Sequence, residues 1–329
     1  MSGGIDWNEI SKNANGGTEL LCRELEKRIP ADLLSNFQII PSRVMNPLQE
    51  DKIRILWCHD LAEDPSAAHL QHDWHMFHKI VFVSNHQMQE YIKRHHIPWE
   101  KCVVIHNAIN MIEEHEKPKG PIKLCYTSTP QRGLHIASRV FDKLCEKHDD
   151  IEFHVFSSFA IYGWNENDKQ FEPVFEELKK NPKVSYYGSV PNEELRERLK
   201  EFHVFAYPSI WQETSCLCLM EAMSAGLVCV HPNLGALYET AAGWTMMYQY
   251  REDQSQHAST FYSVLDHAIN VARDGSAKQH LQNQRHYSSI FHNWEHRQGH
   301  WQEFLESLLN EPREMGKHPD EGLFVYRTT

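Results

Sequence analysis

No Cys-x-x-C pair occurs in this chain, no apolar run approaches the length of a membrane span, and no G-x-G-x-x-G opens a βα unit. Each absence removes a class of protein. Cys22, Cys58, Cys102, Cys125, Cys145, Cys216, Cys218 and Cys229 stand mostly in apolar runs. They read as reduced core residues, not as a disulfide framework or a zinc cage. A transmembrane helix needs about twenty apolar residues, and none is present. The start, Met-Ser-Gly-Gly-Ile-Asp-Trp, is no signal peptide, so the expected location is cytoplasmic, with peripheral membrane contact left open. Asn15-Gly16-Gly17-Thr18-Glu19 lacks the spacing of a dinucleotide fingerprint and lends no support to an NAD enzyme. Positive charge is also short: 33 Lys and Arg face 45 Asp and Glu, a net charge of −12, which disfavours a broad grip on nucleic acid. There is no short-period repeat and no low-complexity segment.

What remains is a chain of 329 residues, 41% hydrophobic, enough for two domains with real cores. Its 23 histidines are many, and acidification below about pH 6.5 would cancel much of the negative charge. Short apolar runs alternate with amphipathic stretches, the pattern of βα units and parallel sheets. Strands are expected at 53–58, 80–84 and 103–105. The charged, Pro- and Gly-bearing stretch 113–121 is the best linker. Beyond it, strands are expected at 122–127, 151–156, 184–187, 203–207 and 228–231. Helices are expected at 136–146, 171–180, 192–201 and 213–225. A last helix is expected over 291–309, where Trp294, Trp301, Phe304 and Leu308 recur at helical spacing. A sheet of this kind binds ligands at the carboxyl ends of its strands, which places 128–133, 188–191 and 209–217 on one rim.

The run Tyr-Pro-Ser-Ile-Trp-Gln-Glu-Thr-Ser-Cys-Leu-Cys-Leu-Met-Glu-Ala-Met-Ser-Ala-Gly, 207–226, is the most informative stretch. It reads as strand end, polar loop and helix start. Pro208 stops the strand and Gly226 is placed to close the helix. A helix start suits a phosphate, and the carboxylates of Glu213 and Glu221 suit hydroxyl groups. A nucleotide-sugar offers both.

Glu-x7-Glu followed by Ala-Met-Ser-Ala-Gly and Val-Cys-Val resembles the nucleotide-sugar signature of retaining glycosyltransferases of family 4, the glycosyl transferases group 1, which have the GT-B fold. That resemblance implies an α/β protein with two Rossmann-like domains facing across a cleft. The expected division is an acceptor-side domain at 1–118, a nucleotide-sugar domain at 119–290, a helix crossing back at 291–309 and a tail at 310–329. It implies that Glu213 meets the donor sugar, Glu221 holds the ribose, and the amides of Thr214, Ser215, Cys216 and Leu217 approach sugar and diphosphate. Gln131-Arg132-Gly133 falls where the family has a basic residue before Gly. Ser128-Thr129 stands where the family commonly has Gly-Arg, so Arg132 is the guanidinium expected to stabilise the leaving diphosphate. Gly16 and Gly17 resemble the glycine loop of the first domain. The Tyr187 to Pro191 turn, with Val190, resembles the segment whose backbone meets the nucleobase. His59, at the end of the 53–58 strand, is the candidate histidine near the transferred sugar, and Asp60 is expected to orient it or touch the acceptor.

His69, His72, His75 and His78 recur every third residue, but four such side chains do not converge from one straight helix. They are read as part of a polar helix covering the first sheet, and no metal is expected. The function implied is a retaining hexosyltransferase moving sugar from a UDP-sugar to a glycan, lipid-linked or small-molecule acceptor by same-face substitution. It would need no metal and no cofactor beyond the nucleotide-sugar co-substrate. The alternatives are another GT-B enzyme, such as a sugar-nucleotide epimerase, and a non-catalytic nucleotide-sugar-binding protein.

Overall fold

The computed structural model describes residues 3–7 and 14–311. Most of the expected 310–329 tail lies outside the described residues. The chain folds as two compact units, one ending at Ala108 and resuming at Trp294, the other running from Ile109 to Asn293.

The first unit carries a five-stranded sheet: β1 (Gly4–Ile5), β2 (Phe37–Pro41), β3 (Ile53–Cys58), β4 (Lys79–Phe82) and β5 (Cys102–Val104), in that order across the sheet. All four pairings are parallel. Helices α1 (Gly17–Arg28), α2 (Ala31–Leu34), α3 (Leu70–Asp73) and α4 (Asn85–His95) lie in the connections. β3 is buried at every position because a parallel sheet is covered on both faces. Ser84 caps α4 by accepting from the Gln87 amide. The last helix, Trp294–Asn310, packs within this unit, Trp301 meeting Trp57 of β3 at 4.8 Å between ring centroids.

The histidine series does not form the single polar helix expected of it. α3 covers only Leu70–Asp73, a 3-10 turn takes Trp74–Met76, and His78 directly precedes β4. The apolar residues Leu70, Met76 and Phe77 are turned into the core, which breaks the segment into short pieces. Among the described residues no group of three His, Cys, Asp or Glu is arranged to hold a metal. No described helix is long and apolar enough to cross a membrane.

The second unit has a six-stranded sheet. Its strands are β6 (Ile122–Tyr126), β7 (Ile151–Val155), β8 (Val184–Tyr186), β9 (Val204–Ala206), β10 (Val228–Pro232) and β11 (Met246–Tyr248), in the order β11-β10-β9-β6-β7-β8. All pairings are parallel. Helices α5 (Leu134–Cys145), α6 (Glu172–Lys180), α7 (Asn192–Leu199), α8 (Leu217–Ser224), α9 (Leu237–Ala241), α10 (Gln254–Asp274) and α11 (Lys278–Phe291) complete it. The chain steps outward from β6 to β8, then returns to lay β9, β10 and β11 on the other side. The order therefore reverses between β6 and β9, where open α/β sheets bind ligands. The segment read as a linker lies within this unit, the His203 ring meeting the Pro118 carbonyl at 3.1 Å, and just before it Arg196 donates to the Asn110 and Met111 carbonyls and the Ile112 amide to Ser224 Oγ.

Candidate functional site

Three loops meet at the reversal point, and two glycines let them meet. Gly133, at φ +109°, follows the 3-10 turn Pro130–Arg132 after β6. A Cβ there would lie 2.2 Å from the Pro208 carbonyl oxygen in the loop after β9. Gly235, at φ +61°, lies after β10, and a Cβ there would come within 2.5 Å of the Glu213 backbone nitrogen and oxygen. Glu213 and Gly235 form a parallel bridge, and the Ala236 amide donates to the Glu213 carbonyl at 2.7 Å. Gly133→Ala is therefore expected to cost about 3 kcal/mol or more, from positive φ and backbone collision together. A urea unfolding midpoint within error of wild type would contradict this packing.

The bridge to Gly235 also corrects the expected helix boundary. α8 begins at Leu217, not near Glu213. Glu213 is held in extended pairing, Thr214 and Ser215 form a bend, and Cys216 is the N-cap at φ −97°, ψ 97°. Cys216 closes this helix start without an oxygen-bearing cap side chain. The four expected donor-contact residues thus form the approach to the helix and its first residue.

Glu213 is 4% exposed although it sits in a loop. Arg132 Nη1 donates to its Oε1 at 2.5 Å, and the Tyr207 hydroxyl donates to the same oxygen at 2.5 Å. Arg132 retains some contact with water, its side chain being 21% exposed. Burial alone would lower the Arg132 pKa, but the Glu213 carboxylate outweighs it and the group is raised well above the ordinary arginine value. Burial, reinforced by the Glu213 charge, also raises the Tyr207 phenol well above its usual range, so it stays protonated and donates. The Trp211 ring lies 5.9 Å from the guanidinium and shields its outer side. Ser128, half-buried, lies between β6 and the turn that bears Arg132.

Glu221 lies on α8, eight positions on from Glu213, and is 5% exposed. Asn192, the first residue of α7, donates through Nδ2 to Glu221 Oε1 at 3.0 Å. Burial raises the Glu221 pKa, while the Asn192 hydrogen bond and the Arg196 charge oppose the rise. Val190 is half-buried in the turn leading to α7, and Gly188 at φ +68° lets that turn close. The two acids thus stand before and after the α8 start in sequence, each held by a partner from a different strand-end loop.

The other expected residues belong to the first unit. His59 follows β3, its amide donating to Ser42 Oγ at 3.1 Å and its ring 4.5 Å from that of Trp57. Burial lowers its pKa to about 3. Its neutral form therefore supports the fold fully above about pH 6.5, and that support is lost as pH falls toward 3. The His59 ring is expected to stay neutral from pH 8 down to about 5, read from its carbon-bound proton shifts. A midpoint near 6.5 would contradict the burial. Asp60 pairs with Arg43 at 3.2 Å, and burial raises its pKa despite that partner. Gly16 is the N-cap of α1 and Gly17 its first residue, with Gly16 at φ −68°. The glycine pair is an ordinary helix start rather than a left-handed loop. Glu19, in the first turn of α1, feels both Asp60 and Arg43, which brings the α1 start near the end of β3.

Tyr207, Asn192, Trp211, Arg43 and Gly235 were not singled out from the sequence. Tyr207 stood in the quoted run but read only as a strand residue. Asn192 carried one signal, its place at the start of a helix after a strand-end turn.

Comparison with known proteins gives the class. Residues 108–245 match the family model described as glycosyl transferases group 1. The chain is 25% identical over 209 residues to the phosphatidylinositol N-acetylglucosaminyltransferase GPI3 subunit of Saccharomyces cerevisiae, covering 59% of this chain and 43% of that protein. It is 24% identical over 142 residues to the phosphatidylinositol N-acetylglucosaminyltransferase gpi3 subunit of Schizosaccharomyces pombe, covering 42% of this chain and 29% of that protein. The matches thus span less than half the length of these relatives. A glycosyltransferase from Rickettsia africae superposes with a TM-score of 0.63 over 93% of this chain and 84% of its own, at 15% identity. Anabaena Alr3699/HepE, in complex with UDP and glucose, superposes with a TM-score of 0.61 over 90% and 84%, at 13% identity. The fold is GT-B. The likeness to the glycosyl transferases group 1 family is carried by residues 108–245.

Proposed function

We propose that this protein is a retaining glycosyltransferase that takes a UDP-sugar as donor. One observation carries the reading: two buried acids, Glu213 and Glu221, stand four residues before and four residues after the first residue of α8, at the reversal point of a parallel sheet, with Arg132 bound to the first of them. Glu213 would accept from the sugar hydroxyls and Glu221 from the ribose hydroxyls. The backbone from Thr214 to Leu217 would approach the diphosphate. Arg132 would stabilise charge as the diphosphate leaves.

Same-face substitution needs no separate carboxylate base, since the departing phosphate takes the acceptor proton. The chain's work would be orientation and charge stabilisation. With Arg132 and the α8 start meeting the diphosphate charge, transfer would proceed without a metal and survive a chelator. His59 and Asp60 serve the acceptor and the transferred sugar in this reading. UDP-N-acetylglucosamine is the first donor to test, because the curated relatives are named as N-acetylglucosaminyltransferase subunits. The acceptor is a glycan, lipid-linked or small-molecule alcohol.

The test is a panel of nucleotide-sugars scored by thermal stabilisation. A donor at 100 times its Kd adds about 2.7 kcal/mol to the folded state, a readily measured shift. A UDP-sugar that stabilises, followed by UDP release, supports the reading. Stabilisation by no nucleotide-sugar at millimolar concentration overturns it. Stabilisation without turnover under any acceptor would instead mark a binding protein.

A further inference from the structure

Among the described residues, the hydrogen bonds to the two acidic side chains fall on one oxygen of each, Oε1. Glu213 Oε1 receives the Tyr207 hydroxyl and Arg132 Nη1, and Glu221 Oε1 receives Asn192 Nδ2. The supporting side chains come from different elements. Tyr207 ends the β9 segment, is fully buried, and is locked by ring contacts to Phe205 at 5.4 Å and Tyr126 at 5.8 Å. The Tyr126 hydroxyl in turn donates to the Thr129 carbonyl at 2.9 Å, which fixes the loop that carries Arg132. Asn192 opens α7, whose Arg196 is anchored to the Asn110 and Met111 carbonyls at 2.8 and 3.0 Å.

We propose that Tyr207 and Asn192 are positioning residues with separate duties, Tyr207 holding Glu213 for the sugar and Asn192 holding Glu221 for the nucleoside. The proposal rests on the donor reading above and adds a division of labour to it. Its physical basis is that a carboxylate turns freely about its last bond unless one oxygen is fixed. Tethering Oε1 leaves Oε2 of each acid to accept from a ligand hydroxyl. Tyr207 has a second consequence. Arg132 is bound to Glu213 through Nη1. A rigid phenol that keeps Glu213 in place allows Arg132 to turn to the diphosphate without freeing the acid. Neither Tyr207 nor Asn192 touches the reacting atoms.

The two duties predict opposite kinetic signatures. Tyr207→Phe keeps the ring and its packing but deletes the hydroxyl. It is expected to lower the turnover of UDP-N-acetylglucosamine about tenfold or more and to leave the Kd for UDP alone within about twofold. Asn192→Ala is expected to weaken UDP and UDP-N-acetylglucosamine alike, about tenfold, with turnover at saturation little changed. Asn192→Gln, which keeps an amide donor on a longer arm, recovers part of that affinity. Asn192→Asp sets a second acid beside Glu221. Its UDP affinity is lowest at neutral pH and improves as pH falls and the pair takes up a proton, unlike the affinity of the alanine variant. Circular dichroism and a cooperative melt show whether each variant is folded.

If wild type binds no UDP-sugar, the donor reading fails and this proposal with it. If wild type binds and turns over, but Tyr207→Phe and Asn192→Ala change the same parameter by the same factor, the donor reading stands and the division of labour is overturned. The crossed pattern, sugar step for one and nucleotide affinity for the other, supports it. General loosening of the fold does not produce a crossed pattern.

Discussion

Glu213→Gln is expected to lose about 10²–10³-fold in turnover while the protein still folds and still binds UDP within a few-fold. The glutamine keeps the shape and can still accept from Tyr207 and Arg132 through its amide oxygen. What it removes is the charge that meets the donor sugar, and preorganised charge at a reacting centre is worth about that much. The effect on the fold is smaller. Breaking a fully buried ion pair costs about 3–5 kcal/mol. Arg132 is 21% exposed and can recover some hydration, so a loss of about 1–3 kcal/mol is expected. Initial rates of UDP release and a urea titration read the two effects separately. Turnover within threefold of wild type would remove Glu213 from the reaction.

Glu221→Gln is expected to act in opposite directions on binding and on stability. Burial raises the Glu221 pKa, and Asn192 and Arg196 offset only part of the cost. The sign follows directly. A carboxyl with a raised folded-state value supports the fold fully below the ordinary carboxylate range, and that support is lost as pH rises through the raised value. Above that value the ligand-free protein carries a charge it would be more stable without. Glu221→Gln should raise its melting temperature at pH 7.5 by roughly 2–4 °C, corresponding to about 1 kcal/mol. The gain should shrink as the pH is taken down toward 4. The same change should weaken UDP binding about tenfold to a hundredfold, because an ionised acceptor for the ribose hydroxyls becomes neutral. A variant that is less stable and binds UDP normally would make Glu221 a structural acid.

Much of this was legible because local chemistry and tertiary position agree. Strands such as 53–58, 122–126 and 151–155 are short, mostly apolar runs, nearly or fully buried, the form that suits a parallel strand covered on both faces. Glu213 and Glu221 were legible because their type and spacing surround one loop-to-helix junction, and Arg132 because its Gln-Arg-Gly loop after a strand resembles the family's. The start of α8 was misread by several residues. Nothing local says that Glu213 pairs with Gly235, which lies 22 residues further on. Asn192 and Tyr207 were overlooked for the same reason: each acts on a carboxylate brought to it only by the fold. β2 and β11 were not assigned, though α10 left readable marks. Asp253 caps its start by accepting from the Gln256 amide, and Gly275 at φ +68° ends it. The glycine pair at 16–17 opens α1 as its N-cap and first residue.

The central claim is positional: an activated sugar is received at the opening of α8, between the two acids. Hydrogen exchange by mass spectrometry, with and without saturating UDP-N-acetylglucosamine, tests it most directly. Slowed exchange is predicted in peptides covering 127–133, 187–192 and 209–221, with no comparable change in α6 or α10. Saturation of binding with no protection in 209–221, or with protection confined to other segments, would contradict it.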